Sequence, residues 1–128
     1  MIVAGLGCRR GTPMESVKAA LLLACQEARL EPATVTALAT GTIKEDEPGI
    51  LELATRLGLP LHIVADEDLT TAEPRTRTVS QHSLARTVSP SLSEAAALAV
   101  AGPASELIVA RVIAEGATCA LARSGDTP

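Results

Sequence analysis

The stretch "MIVAGLGCRRGTPME", residues 1–15, sets the pattern for the rest of the chain. Its first seven residues are apolar or glycine, which is typical of a buried strand ending in a glycine turn. Thr12 is suited to cap a helix, with Pro13 at the first helical position and Glu15 completing a capping box. The stretch therefore predicts a strand, a tight turn and a helix in succession. Apolar residues recur at helical spacing as far as about Arg29.

Two further strands alternate with a second helix. "TVTALAT" (34–40) is β-branched and apolar, and "LPLHIVA" (59–65) is a second apolar run of strand length. Between them Thr42 and Glu45 are suited to cap a helix that continues through "ILELATRLG" (50–58). A β-α-β-α-β order predicts a parallel sheet with right-handed crossovers.

The character of the chain changes after the third strand. Residues 70–93 are rich in Thr, Ser, Pro and Arg, which predicts a long loop with at most a short strand or helix inside. "SLSEAAALAVAG" (91–102) predicts a helix that Ser91 caps and that Glu94 helps to close.

The last two apolar runs have the spacing of a hairpin. Residues 106–113 and 117–124 are separated by a short turn at Glu115-Gly116, so these two strands should be antiparallel. The predicted fold is therefore a three-layer α/β/α domain with a mixed, mainly parallel sheet of about five strands and a C-terminal hairpin. We expect one domain over residues 1–123 and a flexible tail at 124–128.

Composition excludes several classes of function. Hydrophobic residues make up 47% of the 128, yet Phe, Tyr and Trp are absent, so no aromatic side chain can stack on a ligand. A formal charge of -4 argues against nucleic-acid binding. No signal-peptide pattern or membrane-length apolar run is present, and the three cysteines lack metal-site spacing. These features predict a reduced, cytoplasmic protein without a metal site or an evident cofactor.

The turn "GLGCRRGT" (5–12) does not fit the common nucleotide loops. The dinucleotide fingerprint requires a third glycine where Arg10 stands and an acid where Thr40 stands, and the Walker pattern requires a lysine where Thr12 stands. A glycine turn before a helix is still suited to bind an anion, and Arg9 and Arg10 add forked donors. The alternative is two solvated arginines.

Cys8 lies beside the predicted helix start and two cations, an environment that lowers a thiol pKa. It could be a nucleophile or a metal ligand, or it could be an inert thiol, because neither His62 nor His82 is a sequence neighbour that would act as a base. Cys25 and Cys119 fall within a predicted helix and strand and are expected in the core.

The stretch "ATGTIKEDEPG" (39–49) follows the second strand directly. Helix capping accounts for Thr42 and Glu45, and Asp46 is favourable in a first helical turn. Lys44 is unfavourable near a helix N-terminus, so a bound anion is one explanation for it.

Parallel strands bring the loops that follow them to one edge of the sheet, where open α/β sheets bind ligands. We therefore expect one cationic cleft for a polyanionic ligand on an otherwise acidic protein. The cations that could line it are Arg9, Arg10, Lys44 and one or more of Arg75, Arg77 and Arg86.

Four stretches together resemble a known family. "GLGCRRGT", "LATGTIKEDEPGI", "SLSEAAALAVAG" and "LIVARVIAEGATCALARS" are similar, in this order, to the C-terminal domain of CbiG and the stand-alone CobE proteins of cobalamin biosynthesis. The resemblance spans roughly residues 2–122. It implies a three-layer α/β domain that acts on corrin-ring intermediates, macrocycles that carry many acetate and propionate carboxylates. Such a ligand, with or without cobalt, fits the predicted cleft.

The resemblance implies site residues position by position. With Arg10 added from the loop argument, the expected ligand-binding residues are Gly7, Cys8, Arg9, Arg10, Gly11, Thr40, Lys44, Glu47 and Glu94. Gly49 also matches the pattern. The chain departs from it at Ser89-Pro90, where a glycine usually precedes the Glu94 helix, and near Arg111, where a lysine is usual.

Three functions remain open. The first is binding or carriage of a precorrin or corrin in the aerobic pathway. The second is an enzyme like full-length CbiG, which opens a ring-A lactone of a cobalt-precorrin and releases acetaldehyde but carries further N-terminal sequence. Its catalytic candidates here are Glu47, Glu94 and Cys8, with Lys44 or Arg9 steadying an oxyanion. The third is a non-catalytic partner of another enzyme of the cobalamin pathway.

Overall fold

The computed structural model describes residues 1–76 and 92–125. The elements are β1 (Ile2–Cys8), α1 (Met14–Ala28), β2 (Val35–Gly41), α2 (Pro48–Leu57), β3 (Leu61–Val64), α3 (Asp66–Ala72), α4 (Leu92–Ala101), β4 (Glu106–Ala114) and β5 (Ala117–Arg123). Short 3-10 turns lie at Pro32–Thr34, Thr42–Lys44 and Glu73–Arg75. No helix in these two ranges is long and apolar enough to cross a membrane.

The sheet has five strands in the order β3-β2-β1-β5-β4. The pairs β1-β2 and β2-β3 are parallel, whereas β1-β5 and β4-β5 are antiparallel, which confirms the predicted mixed sheet with a C-terminal hairpin. Four strands thus run in one direction, and the segments that follow them meet at one edge, called here the carboxyl edge. Loop 1 (residues 9–13) and loop 2 (residues 42–47) lie at this edge, as does the β4-β5 turn.

Helices cover both faces of the sheet, as predicted. Leu21 and Leu53, from α1 and α2, pack with Leu6 against one face. Leu98 of α4 packs with Val3 against the other face, where α3 also lies. Both cores are aliphatic because the chain contains no aromatic residue. Alanine fills much of the second core, which lets α4 approach the sheet closely.

The close packing of α4 on β1 requires a glycine at position 5. A Cβ at Gly5 would lie 1.8 Å from the carbonyl oxygen of Ser93 and 2.9 Å from the backbone nitrogen of Ala97. Any side chain at this position would collide with helix backbone, which cannot rotate away. The N-terminal turn of α4 is therefore held close to the carboxyl edge.

A two-residue turn joins β4 to β5. Glu115 and Gly116 both have positive φ, 53° and 84°, which is the conformation of a type I′ turn. The carbonyl of Gly116 accepts a hydrogen bond from the Arg9 backbone N–H at 3.1 Å, and the Glu115 carboxylate accepts one from the Ser16 hydroxyl at 3.1 Å. The hairpin turn thus packs onto loop 1 and the start of α1.

Both predicted capping boxes at the first two helices are wrong. The N-cap of α1 is Pro13, without a side-chain cap, because the Thr12 hydroxyl instead donates to the Arg9 carbonyl at 2.7 Å. The second helix begins at Pro48 rather than near Thr42. In its place Thr42 starts a 3-10 turn, and its hydroxyl donates to Asp66 at 3.2 Å.

Part of the predicted long loop is helical. Helix α3 begins at Asp66, and the 3-10 turn Glu73–Arg75 follows it. The rest of the predicted loop, with Arg77, His82, Arg86, Ser89-Pro90 and the capping residue Ser91, lies outside the described residues. At the C-terminus the Ser124 backbone N–H donates to the Met1 carbonyl at 2.9 Å, so pairing beside β1 extends one residue past β5.

Candidate functional site

Three contacts fix the backbone of loop 1. The Arg9 N–H donates to Gly116, the Thr12 N–H donates back to the Arg9 carbonyl at 3.1 Å, and the Gly11 N–H donates to the Glu47 carboxylate at 3.1 Å. Gly11 has a φ of +83°, which accounts for glycine at this position. Loop 1 is therefore tied to both the hairpin turn and loop 2.

These contacts change how loop 1 can hold an anion. The backbone N–H groups of residues 9, 11 and 12 already donate to acceptors within the protein, and Pro13 has no N–H. Loop 1 thus offers an anion fewer free backbone amides than a phosphate-binding glycine turn does. The side chains of Arg9 and Arg10 are exposed instead, so an anion at loop 1 would meet guanidinium groups.

Glu47 is buried and links loop 1 to loop 2. Only 6% of it is exposed, and its carboxylate accepts the Gly11 N–H while its backbone N–H donates to the Lys44 carbonyl at 3.1 Å. Its own carbonyl accepts from the first turn of α2. No local sequence pattern indicates this contact, because Gly11 and Glu47 lie 36 positions apart.

Cys8 lies among Glu47, Lys44 and Thr12 at the end of β1. Burial raises the pKa of the Cys8 thiol and the negative charge of Glu47 raises it further, which Lys44 and a hydrogen bond with Thr12 only partly oppose. The expectation of a lowered pKa is therefore wrong. The reason is that burial of the thiol and the nearby Glu47 carboxylate both disfavour the thiolate, whereas Arg9 and Arg10 are exposed to solvent.

Cys8 should consequently react slowly with alkylating reagents. Because its pKa is raised in the folded protein, the thiolate forms at higher pH than in the unfolded chain. Iodoacetamide labelling followed by mass spectrometry across neutral to alkaline pH should give a midpoint for Cys8 above that of the same residue in urea. A midpoint below the urea value would contradict the arrangement of charges described above.

Two predicted ligand-binding positions are internal. Thr40 is 0% exposed, and its hydroxyl donates to the Leu6 carbonyl at 2.8 Å, which links β2 to β1. Gly7 is buried on β1, and a Cβ there would lie 2.8 Å from the hydroxyl of Thr118, which pairs with the hydroxyl of Ser93. Both residues shape the carboxyl edge from within and present no side chain to a ligand.

Glu94 is also internal and belongs to the other face of the sheet. It is 0% exposed on α4, and its carboxylate accepts the Arg111 backbone N–H at 2.8 Å, which ties α4 to β4. The Nε of Arg111 is buried without a hydrogen-bond partner in the described part of the chain. Because Glu47 precedes α2, on the opposite face, the fold does not pair the two candidate acids as one acid-base couple.

Arg75 lies away from the cationic loops. Its Nη1 donates to the carbonyls of Gly102 and Ser105, at 3.2 and 3.0 Å, and to the Ser105 hydroxyl at 3.0 Å. These acceptors follow the C-terminus of α4 and precede β4, at the edge opposite the carboxyl edge. The expectation that Arg75 could line the cleft is wrong, because the helical turn at 73–75 directs it to carbonyl groups that end α4.

Replacing Arg75 by alanine should therefore lower stability without changing ligand affinity. Loss of its hydrogen bonds at the end of α4 should cost about 1.5 kcal/mol in the free energy of unfolding, measured by urea denaturation. The exposed Arg56→Ala variant, which loses only a surface contact to Glu52, serves as the matched control. A fall in ligand affinity at unchanged stability would place Arg75 in the binding site after all.

The described residues thus place three cationic side chains on two adjacent loops, and loop 2 also carries the acids Glu45, Asp46 and Glu47. Arg9 and Arg10 of loop 1 are exposed and Lys44 of loop 2 is half-buried. All three cysteines are free thiols, and no cluster of His, Cys, Asp and Glu within residues 1–76 and 92–125 could hold a metal ion. Chemically, such an edge can bind carboxylates by charge and by forked hydrogen bonds.

The fold and the loop positions define a class: a mixed α/β domain with Arg9, Arg10 and Lys44 at the carboxyl edge of its sheet. Comparison with known proteins places the chain within it more narrowly. The model of the family "Cobalamin synthesis G C-terminus" matches residues 2–122. The chain therefore belongs to the CbiG C-terminal family and is a protein of cobalamin biosynthesis, as the sequence resemblance predicted.

Individual relatives agree with this assignment. Protein CobE from Sinorhizobium sp. is 33% identical over 121 residues, which cover 94% of this chain and 79% of that protein. The crystal structure of CobE, from the cobalamin (vitamin B12) biosynthetic pathway, superposes with a TM-score of 0.86 at 39% identity, covering 96% of this chain and 89% of that one. The cobalt-precorrin-5A hydrolase of Salmonella typhimurium (strain LT2) is 34% identical over 68 residues, 53% of this chain but 19% of that enzyme.

Proposed function

We propose that this protein binds a corrin or precorrin intermediate of cobalamin biosynthesis through its peripheral carboxylates, as a binding or carrier protein of the aerobic pathway. The observation that carries the proposal is the position of Arg9, Arg10 and Lys44 on adjacent loops at the carboxyl edge of a chain with net charge -4. Cations so placed attract a polycarboxylate locally, although the protein as a whole repels anions.

Aliphatic side chains would supply the contact to the macrocycle. The chain has no aromatic residue, so the ring cannot be stacked between aromatic planes. Ile43 of loop 2, next to Lys44, is 77% exposed and is the most exposed large apolar residue described. A ligand with an apolar ring and a charged rim matches an exposed isoleucine next to a lysine, since the ring can contact the isoleucine and a rim carboxylate can contact the lysine.

The burial and the hydrogen bonds of the candidate catalytic groups favour a binding function over catalysis. Glu47 and Glu94 are both buried, and both accept backbone hydrogen bonds that hold neighbouring segments in place. The pKa of Cys8 is raised, which disfavours the nucleophilic thiolate. The second candidate, a hydrolase acting on a cobalt-precorrin, rests on the partial similarity to the Salmonella enzyme, of which this chain covers 19%.

A titration of a carboxylate-bearing corrin, followed by visible absorbance and product analysis, tests these functions against each other. A saturable spectral shift without a new product supports the carrier, and affinity should fall as salt is added because the contacts are ionic. Release of acetaldehyde or a new corrin product would support the hydrolase. No spectral change with corrins that contain or lack cobalt would contradict the carrier and leave a partner role in a larger enzyme.

The three free thiols support a reducing compartment such as the cytoplasm as the place of action.

A further inference from the structure

Groups from loop 2 and α2 contact the backbone just before α1 and at its first residue. The Glu47 carboxylate already accepts the Gly11 N–H, the amide that a phosphate would be expected to meet in a glycine turn. Gly49 covers the neighbouring backbone, because a Cβ built on it would lie 2.3 Å from the Thr12 carbonyl oxygen and 3.3 Å from the Met14 nitrogen. An external anion therefore finds a carboxylate and packed backbone where such turns usually present free donors.

We propose that Glu47 is a specificity-determining residue that acts as the internal anion of the glycine turn and excludes phosphate-bearing ligands from it. The inference rests on the proposed function, because it concerns which anions the same cationic edge accepts. A buried negative charge repels a compact, doubly charged phosphate that approaches the turn. Carboxylates at the rim of a wide ligand can instead meet Arg9 and Arg10, which are exposed to solvent, whereas Glu47 is buried.

Because Glu47 is buried, its charge acts on a nearby anion more strongly than the charge of a surface acid would. Glu47 is 6% exposed, so solvent screens its charge less than it screens the charge of the exposed neighbour Glu45. Its effect also reaches Cys8, whose pKa it helps to raise. The carboxylate thus acts on the groups around loop 1, while Glu45 faces solvent on the same loop.

Calorimetric titration with pyrophosphate, which contains no carboxylate, tests the proposal. Glu47→Ala removes both the charge and the acceptor, and we expect it to raise pyrophosphate affinity at least roughly tenfold over the wild type. Glu47→Gln removes the charge but keeps an oxygen that can accept from Gly11, so a smaller gain is expected. Glu45→Gln, with the same change in net charge at an exposed position, is the matched control and should change affinity less than about twofold.

Thermal unfolding of each variant establishes that it is folded before it is titrated. If Glu47→Ala does not fold, Glu47→Gln decides the outcome. The proposal is overturned if folded Glu47→Gln binds pyrophosphate no better than Glu45→Gln, or if the wild type already binds pyrophosphate as tightly as either Glu47 variant. Neither result depends on corrin binding by the wild type, so failure of this inference and failure of the carrier function are distinguishable.

Discussion

Replacing Arg9 and Lys44 together by alanine should weaken binding of a carboxylate-bearing corrin roughly 30-fold at low salt, since each side chain is expected to hold a ligand carboxylate. The variant should also show a shallower decrease of affinity with added salt, because fewer ionic contacts remain to be screened. Stability should change little, because neither side chain has a hydrogen bond or ion pair within the described residues. Absorbance titration at several salt concentrations measures both effects.

The matched control removes the same charge elsewhere. Arg29→Gly with Arg56→Ala deletes two cations at the C-terminal ends of α1 and α2, which point away from the carboxyl edge. Glycine is suited to position 29 because Arg29 has a φ of 58°. If this control weakens corrin binding as much as the Arg9 and Lys44 pair does, long-range charge rather than the two loops determines affinity.

Replacing Gly5 by alanine should destabilise the fold by about 3 kcal/mol or prevent folding. The added Cβ would lie 1.8 Å from the Ser93 carbonyl oxygen and 2.8 Å from its carbon, so α4 must move away from β1. That movement would open the second core, in which alanines of α4 pack directly on the sheet. Urea denaturation of the purified variant gives the change in the free energy of unfolding.

Gly41→Ala provides the comparison for that experiment. A Cβ at Gly41 would meet the ends of the Leu92 and Leu69 side chains, at 2.7 and 3.1 Å, and these can change rotamer. Its loss of stability should therefore be clearly smaller than that of Gly5→Ala. Equal losses in the two variants would show that α4 can shift on the sheet as readily as a side chain can rotate.

The order of the five strands and of α1, α2 and α4 was predictable because glycine or proline lies between most of the apolar runs, whereas α3 was not predicted. The hairpin was also predictable, since Glu115-Gly116 separates two β-rich runs by the length of a two-residue turn. The starts of α1 and α2 were not, because a cap requires the threonine oxygen to accept a helix N–H, and only the fold determines which groups lie near that hydroxyl. Thr12 bonds to the Arg9 carbonyl and Thr42 to Asp66, so neither caps a helix.

The position of Arg9 and Lys44 at one edge of the sheet was predictable, but the contacts of the other candidate residues were not. Strand order alone brings Arg9 and Lys44 to one edge, whatever their side chains contact. The roles of Glu47 and Thr40 depend on partners 36 and 34 residues away, which no local pattern encodes. Arg75 shows the same limit: a cation in a basic stretch resembled a ligand group, and its acceptors are the carbonyls at the end of α4.

The hydrogen bonds that fix the backbone of loop 1 bear on the rates at which a ligand would bind and leave. Arg9, Gly11 and Thr12 already donate to internal acceptors, so in the proposed carrier a corrin would dock without rearrangement of that backbone and with little loss of its entropy. Capture should then proceed at a rate set by diffusion and charge attraction, and the residence time should follow the number of ionic contacts. A receiving enzyme could obtain the intermediate by competing for its carboxylates one at a time, without having to unfold the loop that holds them.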